Sequence, residues 1–339
     1  MKIDRNFIAE KAGVSSATVS RVFNDPKLVA PDKVEQVLAA AKKYGYSPNK
    51  MASALRRNGT GIISFVESTL LDRAPITRNY HWCFTDSVKG AKFVIDKSMY
   101  HFNLLNMNAS NFTGLLKTKF CDGMMTMDIP RVFAEKIKAS GIPYVLAFRE
   151  KSEKFNTVYI DEREGGRLAG ELFVRTGHKG FAHITSNVRT YGPSEDRYLG
   201  FKEAIGGEPL LIDGAGGIKG GFESAKKIIK EIKNKVIDSV FVVNDLAAFG
   251  VIQAFSAEKI RIPEDVSLIG YDNMPYIDSL PFKLTTVESP LFQTYIVAAE
   301  ELLRIIKEGG KIFKKVVPDI IPGDSVLDRK GAKKYAGSI

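Results

Sequence analysis

From residue 60 to residue 325, short apolar runs alternate with longer stretches of helical periodicity, and few architectures accommodate that rhythm. The apolar runs lie at 62–66, 102–107, 122–127, 143–148, 180–185, 239–243 and 267–271. They lack the in–out alternation of a half-solvated sheet, so they read as strands covered on both faces. Between and after them, 86–97, 164–176, 195–205, 222–233, 246–256 and 291–307 fit helices. This order predicts an α/β fold with parallel sheets and helices on both faces. A chain of 339 residues has room for two or three such folding units. No run approaches the roughly 20 apolar residues that cross a bilayer.

The first 59 residues differ in charge. They hold 11 Lys/Arg against 5 Asp/Glu, an excess of +6 in a chain whose total is +10. Concentrated positive charge suits a phosphate backbone, because neutralising phosphates releases counterions, although solubility alone also produces it. Residues 6–12 pattern as a short helix with Ile8, Ala9 and Ala12 on one face. Gly13 then allows a tight turn. Val14 is the expected buried anchor, and Ser15 the N-cap of a second helix over 16–24. That helix turns Val19, Val22 and Phe23 inward and shows Ser16, Ala17, Ser20 and Arg21 outward. A third helix starts near Pro31, buries Val34, Val37, Leu38 and Ala41, and ends near Tyr44-Gly45. Two short helices around a glycine turn make a helix-turn-helix, whose second helix enters the major groove. Arg21 can then pair with a guanine edge. A three-helix bundle with a solvated face shares the same pattern.

The unbroken run Ile8-Ala9-Glu10-Lys11-Ala12-Gly13-Val14-Ser15-Ser16-Ala17-Thr18-Val19-Ser20-Arg21-Val22-Phe23-Asn24 closely resembles the headpiece of the lactose-repressor (LacI/GalR) family, as does Tyr44-Gly45-Tyr46-Ser47-Pro48-Asn49. The resemblance implies that Ser16, Ala17 and Arg21 face bases, while Ser15, Thr18, Ser20 and Asn24 bind phosphates. Family members often carry larger polar residues where this chain has Ser16-Ala17, which leaves the operator sequence open. Residues 49–59 follow as an Ala-rich linker with Asn49 as cap and Gly59 as stop. About eight helical residues are too few to be stable alone. The resemblance implies that this hinge folds on DNA and wedges Leu55 between central base pairs, with Arg56 and Arg57 near phosphates. Such a wedge unstacks bases and kinks the duplex. Leu55 as an ordinary contact with the domain below remains the alternative.

Further matches run through the rest of the chain: Val158-Tyr159-Ile160-Asp161, Gly165-Gly166, Gly177-His178-Lys179, Arg197-Tyr198-Leu199-Gly200-Phe201, Asn244-Asp245, Val266-Ser267-Leu268-Ile269-Gly270-Tyr271-Asp272-Asn273 and Leu284-Thr285-Thr286-Val287. They imply two Rossmann-like subdomains of periplasmic-binding-protein type behind the helix-turn-helix headpiece. The expected divisions are a headpiece at 1–47, a hinge at 48–59, one subdomain at about 60–159 with 288–318, another at about 160–287 with 319–325, and a tail at 326–339. An effector then sits between the subdomains, at the carboxyl ends of the strands. Arg197 and Asp272 match the family's polar ligand pair and Asn244 a third contact; a structural ion pair or a strand-end cap is the competing role for each. An Arg fork and an Asp acceptor suit a sugar or polyol. Ser68, near the first strand end, is a weaker candidate. The segment 67–82 reads as a long loop carrying Arg73, Arg78, Tyr80, His81 and Trp82. The resemblance implies that Tyr80 and Trp82 fall where relatives place aromatic rings over the ligand, and such rings stack on an apolar sugar face. Where many relatives have an acidic residue after Pro143, this chain has Phe148 with Arg149 beside it. Those cations fit either an anionic effector or a solvated loop.

Other chemistry is poorly supported. Cys83 and Cys121 are expected as two buried thiols, and His81, His101, His178 and His183 show no metal-ligand spacing. The run 214–221 is glycine-rich but lacks the Gly-Lys-Ser/Thr ending of a phosphate loop, so it reads as a flexible surface turn. No nucleophile elbow or hydrolytic set is present in the sequence. The expectation is therefore a cytoplasmic, non-enzymatic, homodimeric repressor without cofactor. It binds double-stranded operator DNA and is released by a sugar-type effector. The alternative is a regulator whose DNA binding is strengthened by a nucleobase or a phosphorylated metabolite.

Overall fold

The computed structural model describes residues 3–46, 59–68, 81–107, 109–127, 129–148, 151–186, 188, 192–214, 216–331 and 333–334. Three helices come first: α1 (Arg5–Lys11), α2 (Ser16–Asn24) and α3 (Pro31–Tyr44). Asp4 caps α1 by accepting from Phe7 N at 3.0 Å, and Ser15 caps α2 by accepting from Thr18 N at 3.0 Å. Gly13 takes φ +63° in the turn between them. Ile8, Ala9, Ala12, Val19, Val22, Val37 and Ala40 form a separate small core, and Val14 packs against it only partly buried. Leu38 departs from the expected inner face: it is 47 % exposed. The inner stripe of α3 centres on Val37, Ala40 and Ala41, and Leu38 lines an open groove with Val29, Val34 and Pro26.

Two six-stranded sheets follow. The first has the order β11-β5-β4-β3-β1-β2, built from β1 (Ile62–Ser68), β2 (His101–Met107), β3 (Gly123–Met127), β4 (Tyr144–Phe148), β5 (Thr157–Ile160) and β11 (Phe313–Val316). All its pairings are parallel. The second has the order β12-β10-β9-β8-β6-β7, built from β6 (Phe181–Ser186), β7 (Leu210–Gly214), β8 (Ser239–Val242), β9 (Ser267–Asp272), β10 (Thr285–Glu288) and β12 (Asp319–Ile321). Only β12 runs antiparallel to its neighbour. The chain passes between the sheets after β5, after β10 and between β11 and β12.

Parallel pairing requires crossover helices, and these cover both faces. On the first sheet, α4 (His81–Ile95) and α12 (Leu291–Glu308) pack together on one side through Ala91, Ile95, Tyr295 and Ala299. On the other side, α5 (Ala109–Lys117) and α6 (Arg131–Ala139) contribute Phe112, Leu116, Ala134 and Ile137. On the second sheet, α7 (Glu162–Arg175) and α8 (Gly192–Ile205) lie against Phe241, Ile269 and Tyr271. The opposite face is closed by α9 (Ile218–Lys226), α10 (Ile229–Lys233) and α11 (Asp245–Ala257). The glycine-rich run is therefore a turn only in part: 216–217 form a bend, while its ends belong to a strand and a helix. Gly214 ends β7 and Gly221 lies buried in α9, where an added Cβ would overlap Ala247 O of α11. Gly166 and Gly200 act the same way at the α7–α8 contact, where a Cβ would overlap Arg197 O and Arg163 O. That close approach fixes where Arg197 emerges from α8.

Cys83 and Cys121 are free and buried. Among the described residues, no helix is long and apolar enough to cross a membrane, and no cluster of three or more His, Cys, Asp or Glu is placed to hold a metal. Two histidines are buried as neutral hydrogen-bonding groups. His178 bridges Thr176 Oγ1 at 2.9 Å and Ser267 Oγ at 2.8 Å; His183 meets Phe241 O at 3.0 Å and stacks on the Phe241 ring. Burial pushes each down to about 4 from an unfolded value near 6.5. A depressed folded value means that both contribute full stability above pH 6.5 and lose it as pH falls towards 4. Two protons taken up on unfolding give a slope approaching about 2.7 kcal/mol per pH unit, of which the buried Asp245 carboxyl, raised to about 7 and releasing its proton on unfolding, offsets about half. Urea unfolding between pH 7 and pH 5 checks this: stability falls on acidification, and His178→Gln flattens the fall.

Candidate DNA-binding face and effector site

The headpiece presents α2 by its N-terminal half. Ser15, Ala17 and Arg21 are exposed, and Thr18 and Ser20 are half-buried. The Ser15 and Thr18 hydroxyls lie 2.9 Å apart, so the cap and its neighbour form one polar end where four backbone N–H groups begin the helix. Such an end attracts phosphate. Ser16 differs from expectation: its hydroxyl is shielded from solvent and has no hydrogen-bond partner among the described residues. Ala17 and Arg21 are thus the displayed pair, a small residue permitting close approach beside one long cation. The side chain of Asn24, and all of Asn49, Leu55, Arg56 and Arg57, lie outside the described residues.

The second site is built around a buried guanidinium. Arg197, on α8, is 8 % exposed. Its Nε donates to Glu162 Oε2 at 2.8 Å and its Nη1 to Val243 O at 2.5 Å. Its Nη2 stands 3.7 Å from Asp272 Oδ1, and the guanidinium lies 3.5 Å above the centre of the Tyr271 ring. Burial alone would favour losing the proton, but Glu162, then Tyr271 and Asp272, hold the group charged well above its ordinary value. Burial likewise pushes the Tyr271 phenol well up. The sequence reading missed Glu162, the first residue of α7 and 2 % exposed. The signal was available in principle, since an Arg destined for a dry site needs a carboxylate partner.

Asp272 ends β9 with φ +109°, followed by Asn273 at φ +54°. Asn244 follows β8, and its Oδ1 accepts from Ala247 N at 2.8 Å, capping α11. Arg197, Asn244 and Asp272 are therefore brought together at the carboxyl ends of β8 and β9, all at least nine-tenths buried. Beside them Lys151, from the segment joining β4 to β5, is paired with Asp196 of α8, so the carboxyl side of the first sheet faces that of the second.

The first-sheet candidates are less complete. Ser68 ends β1 opposite Met107 and Phe148 ends β4 opposite Tyr159, but their side chains are outside what is described. Tyr80 and Arg149 lie outside the described residues altogether, as do Arg73 and Arg78. Trp82 is not in a loop: it is the second residue of α4, 8 % exposed and packed in the core, with Nε1 lacking a partner among the described residues. The helix starts earlier than the sequence suggested because Trp82 and Cys83 share its inner face.

Replacing one partner of a buried ion pair while leaving the other is costly. Glu162→Gln preserves shape but removes the counter-charge of Arg197, and costs about 3–5 kcal/mol of stability. Urea unfolding measures it; the double replacement Glu162→Gln with Arg197→Met recovers part of the loss.

Comparison with known proteins bears on the family of the chain. The model of bacterial regulatory proteins of the lacI family matches residues 8–49, and the periplasmic binding protein-like domain matches residues 171–326, together more than half of the chain. The HTH-type transcriptional repressor PurR of Vibrio cholerae is 28 % identical over 337 residues, covering 95 % of this chain and 97 % of that protein. The ribose operon repressor of Halalkalibacterium halodurans is 29 % identical over 310 residues, covering 89 % of each. Among solved structures, a LacI-family transcriptional regulator from Enterococcus faecium with bound ribose superposes with a TM-score of 0.63 at 25 % identity, covering 78 % of this chain and 98 % of that one. The chain belongs to the lacI family of bacterial regulatory proteins.

Proposed function

We propose that this regulator is a homodimeric repressor that leaves its operator when a neutral sugar binds beside Arg197, Asn244 and Asp272. In this reading residues 1–47 form the DNA-reading headpiece and 48–59 the hinge. Residues 60–325 form the effector and dimerisation unit, and 326–339 the tail. Within that unit, about 60–159 with 288–318 make one subdomain, and 160–287 with 319–325 the other. The carrying observation is the gap between Arg197 Nη2 and Asp272 Oδ1. At 3.7 Å the two form an ion pair that is longer than a hydrogen bond, so a donor fork and an acceptor lie side by side within reach of one ligand hydroxyl. A ligand hydroxyl can accept from one and donate to the other. The charge balance also favours a polyol. Among the described residues Arg197 is outnumbered by Glu162 and Asp272, and Lys151 is matched by Asp196, so these groups repel an added anion. The names of two relatives, a ribose operon repressor and a regulator with bound ribose, lend support.

The three passages of chain between the sheets allow the two units to shift relative to one another. A ligand that prefers one arrangement moves the population towards it, and with it the placing of the two headpieces in the dimer.

A thermal-shift screen of pentoses, hexoses, disaccharides, sugar phosphates and nucleobases tests the proposal. One neutral sugar at a hundredfold excess over its Kd adds about 2.7 kcal/mol, which raises Tm by several degrees. Arg197→Ala and Asp272→Asn abolish that rise. If only phosphorylated compounds or nucleobases stabilise the protein, the sugar reading gives way to the co-repressor one.

A further inference from the structure

The Asn244-Asp245 pair does more than cap a helix. Asn244 takes the capping role, whereas Asp245, the first residue of α11, is fully buried and turns away from it. Its Oδ2 accepts from Met274 N at 2.9 Å and its Oδ1 from Thr286 Oγ1 at 2.7 Å. The Met274 amide belongs to the turn in which Asp272 and Asn273 both adopt positive φ, +109° and +54°. Residues other than glycine adopt consecutive values of this kind only where their surroundings impose them. Room for the carboxyl exists because residue 270 is glycine; a Cβ there would overlap Asp245 Oδ1.

We propose that Asp245 is a positioning residue of the effector site: its buried carboxyl holds the 272–274 turn so that the Asp272 carboxylate faces Arg197. It touches no ligand. It fixes the turn from behind, while Ser289 N, donating to Asp272 O at 3.4 Å, and Glu288, accepting from Asn273 Nδ2 at 3.4 Å, hold it from β10. Burial pushes the Asp245 carboxyl up to about 7, against the donors that favour its charge. The inference rests on Arg197 and Asp272 being the effector pair.

The test uses the full chain without effector and the variant Asp245→Asn, which keeps the size but turns an NH2 group towards the amides. Hydrogen exchange followed by mass spectrometry is read at 271–277 and at the flanking strands β8 and β10. Loss of one net hydrogen bond gives about tenfold faster exchange at 271–277, with β8 and β10 unchanged. Exchange equal to wild type, or accelerated equally in the strands, overturns the proposal. A second arm reads the Tm shift produced by D-ribose. Stabilisation of wild type but not of the variant supports the proposal, and equal stabilisation of both overturns it. If D-ribose stabilises neither, ribose as effector falls and the exchange result decides the role of Asp245 alone. Should Asp245→Asn fail to fold, Thr286→Val removes one donor and is read in the same way, with about threefold acceleration expected.

Discussion

A guanidinium taken out of water cannot remain unpaired, and much of the second half of this protein is arranged around that requirement. Arg197 needs a carboxylate, and Glu162 supplies it from the first turn of α7. That partnership demands that α7 and α8 approach closely, which Gly166 and Gly200 permit. The ring of Tyr271 then closes one face of the guanidinium and the Val243 carbonyl takes another hydrogen. One edge is left towards Asp272. That edge makes an ion pair longer than a hydrogen bond, and in the proposed reading it is where a polar ligand is recognised.

The headpiece follows a different logic. Its core is small, and its helices are set by local signals: two side-chain caps, one glycine turn and a proline at the start of α3. Such a unit is only marginally stable by itself, because a few dozen residues bury little apolar surface. In the proposed dimer its affinity for DNA depends on two copies being correctly spaced, since a single short reading helix makes few contacts. Control therefore does not need to reach the reading helix. In the proposed reading, changing the separation of two headpieces is sufficient.

Legibility in the sequence divides along the same line. Helix boundaries of the headpiece and seven of the twelve strands of the two sheets were readable from periodicity and capping residues, which are short-range features. The strands β5, β7, β10, β11 and β12 were not among those expected, and the grouping of Arg197, Asn244 and Asp272 came from the family resemblance. Leu38 was misassigned since helical periodicity locates a stripe but not its edges; what lies opposite α3 decides that Ala40 is covered and Leu38 is not. The glycine-rich run at 214–221 looked like a turn because glycine serves turns and close helix packing alike, and only the position of α11 distinguishes them. Glu162 and Lys151 were missed for a tertiary reason: their importance comes from partners 35 and 45 residues away in sequence. Asp245 was seen as part of a motif, but its task is visible only in the turn it holds.

The central claim is that the chain reads DNA as a two-fold pair of headpieces. Selection of binding sites by the purified full chain from a random duplex pool tests it most directly, with a chain lacking residues 1–59 as the comparison. The account predicts enrichment of one sequence made of two inverted half-sites by the full chain, and none by the shortened one. Enrichment of no symmetric sequence, or of the same sequence by both chains, would contradict it.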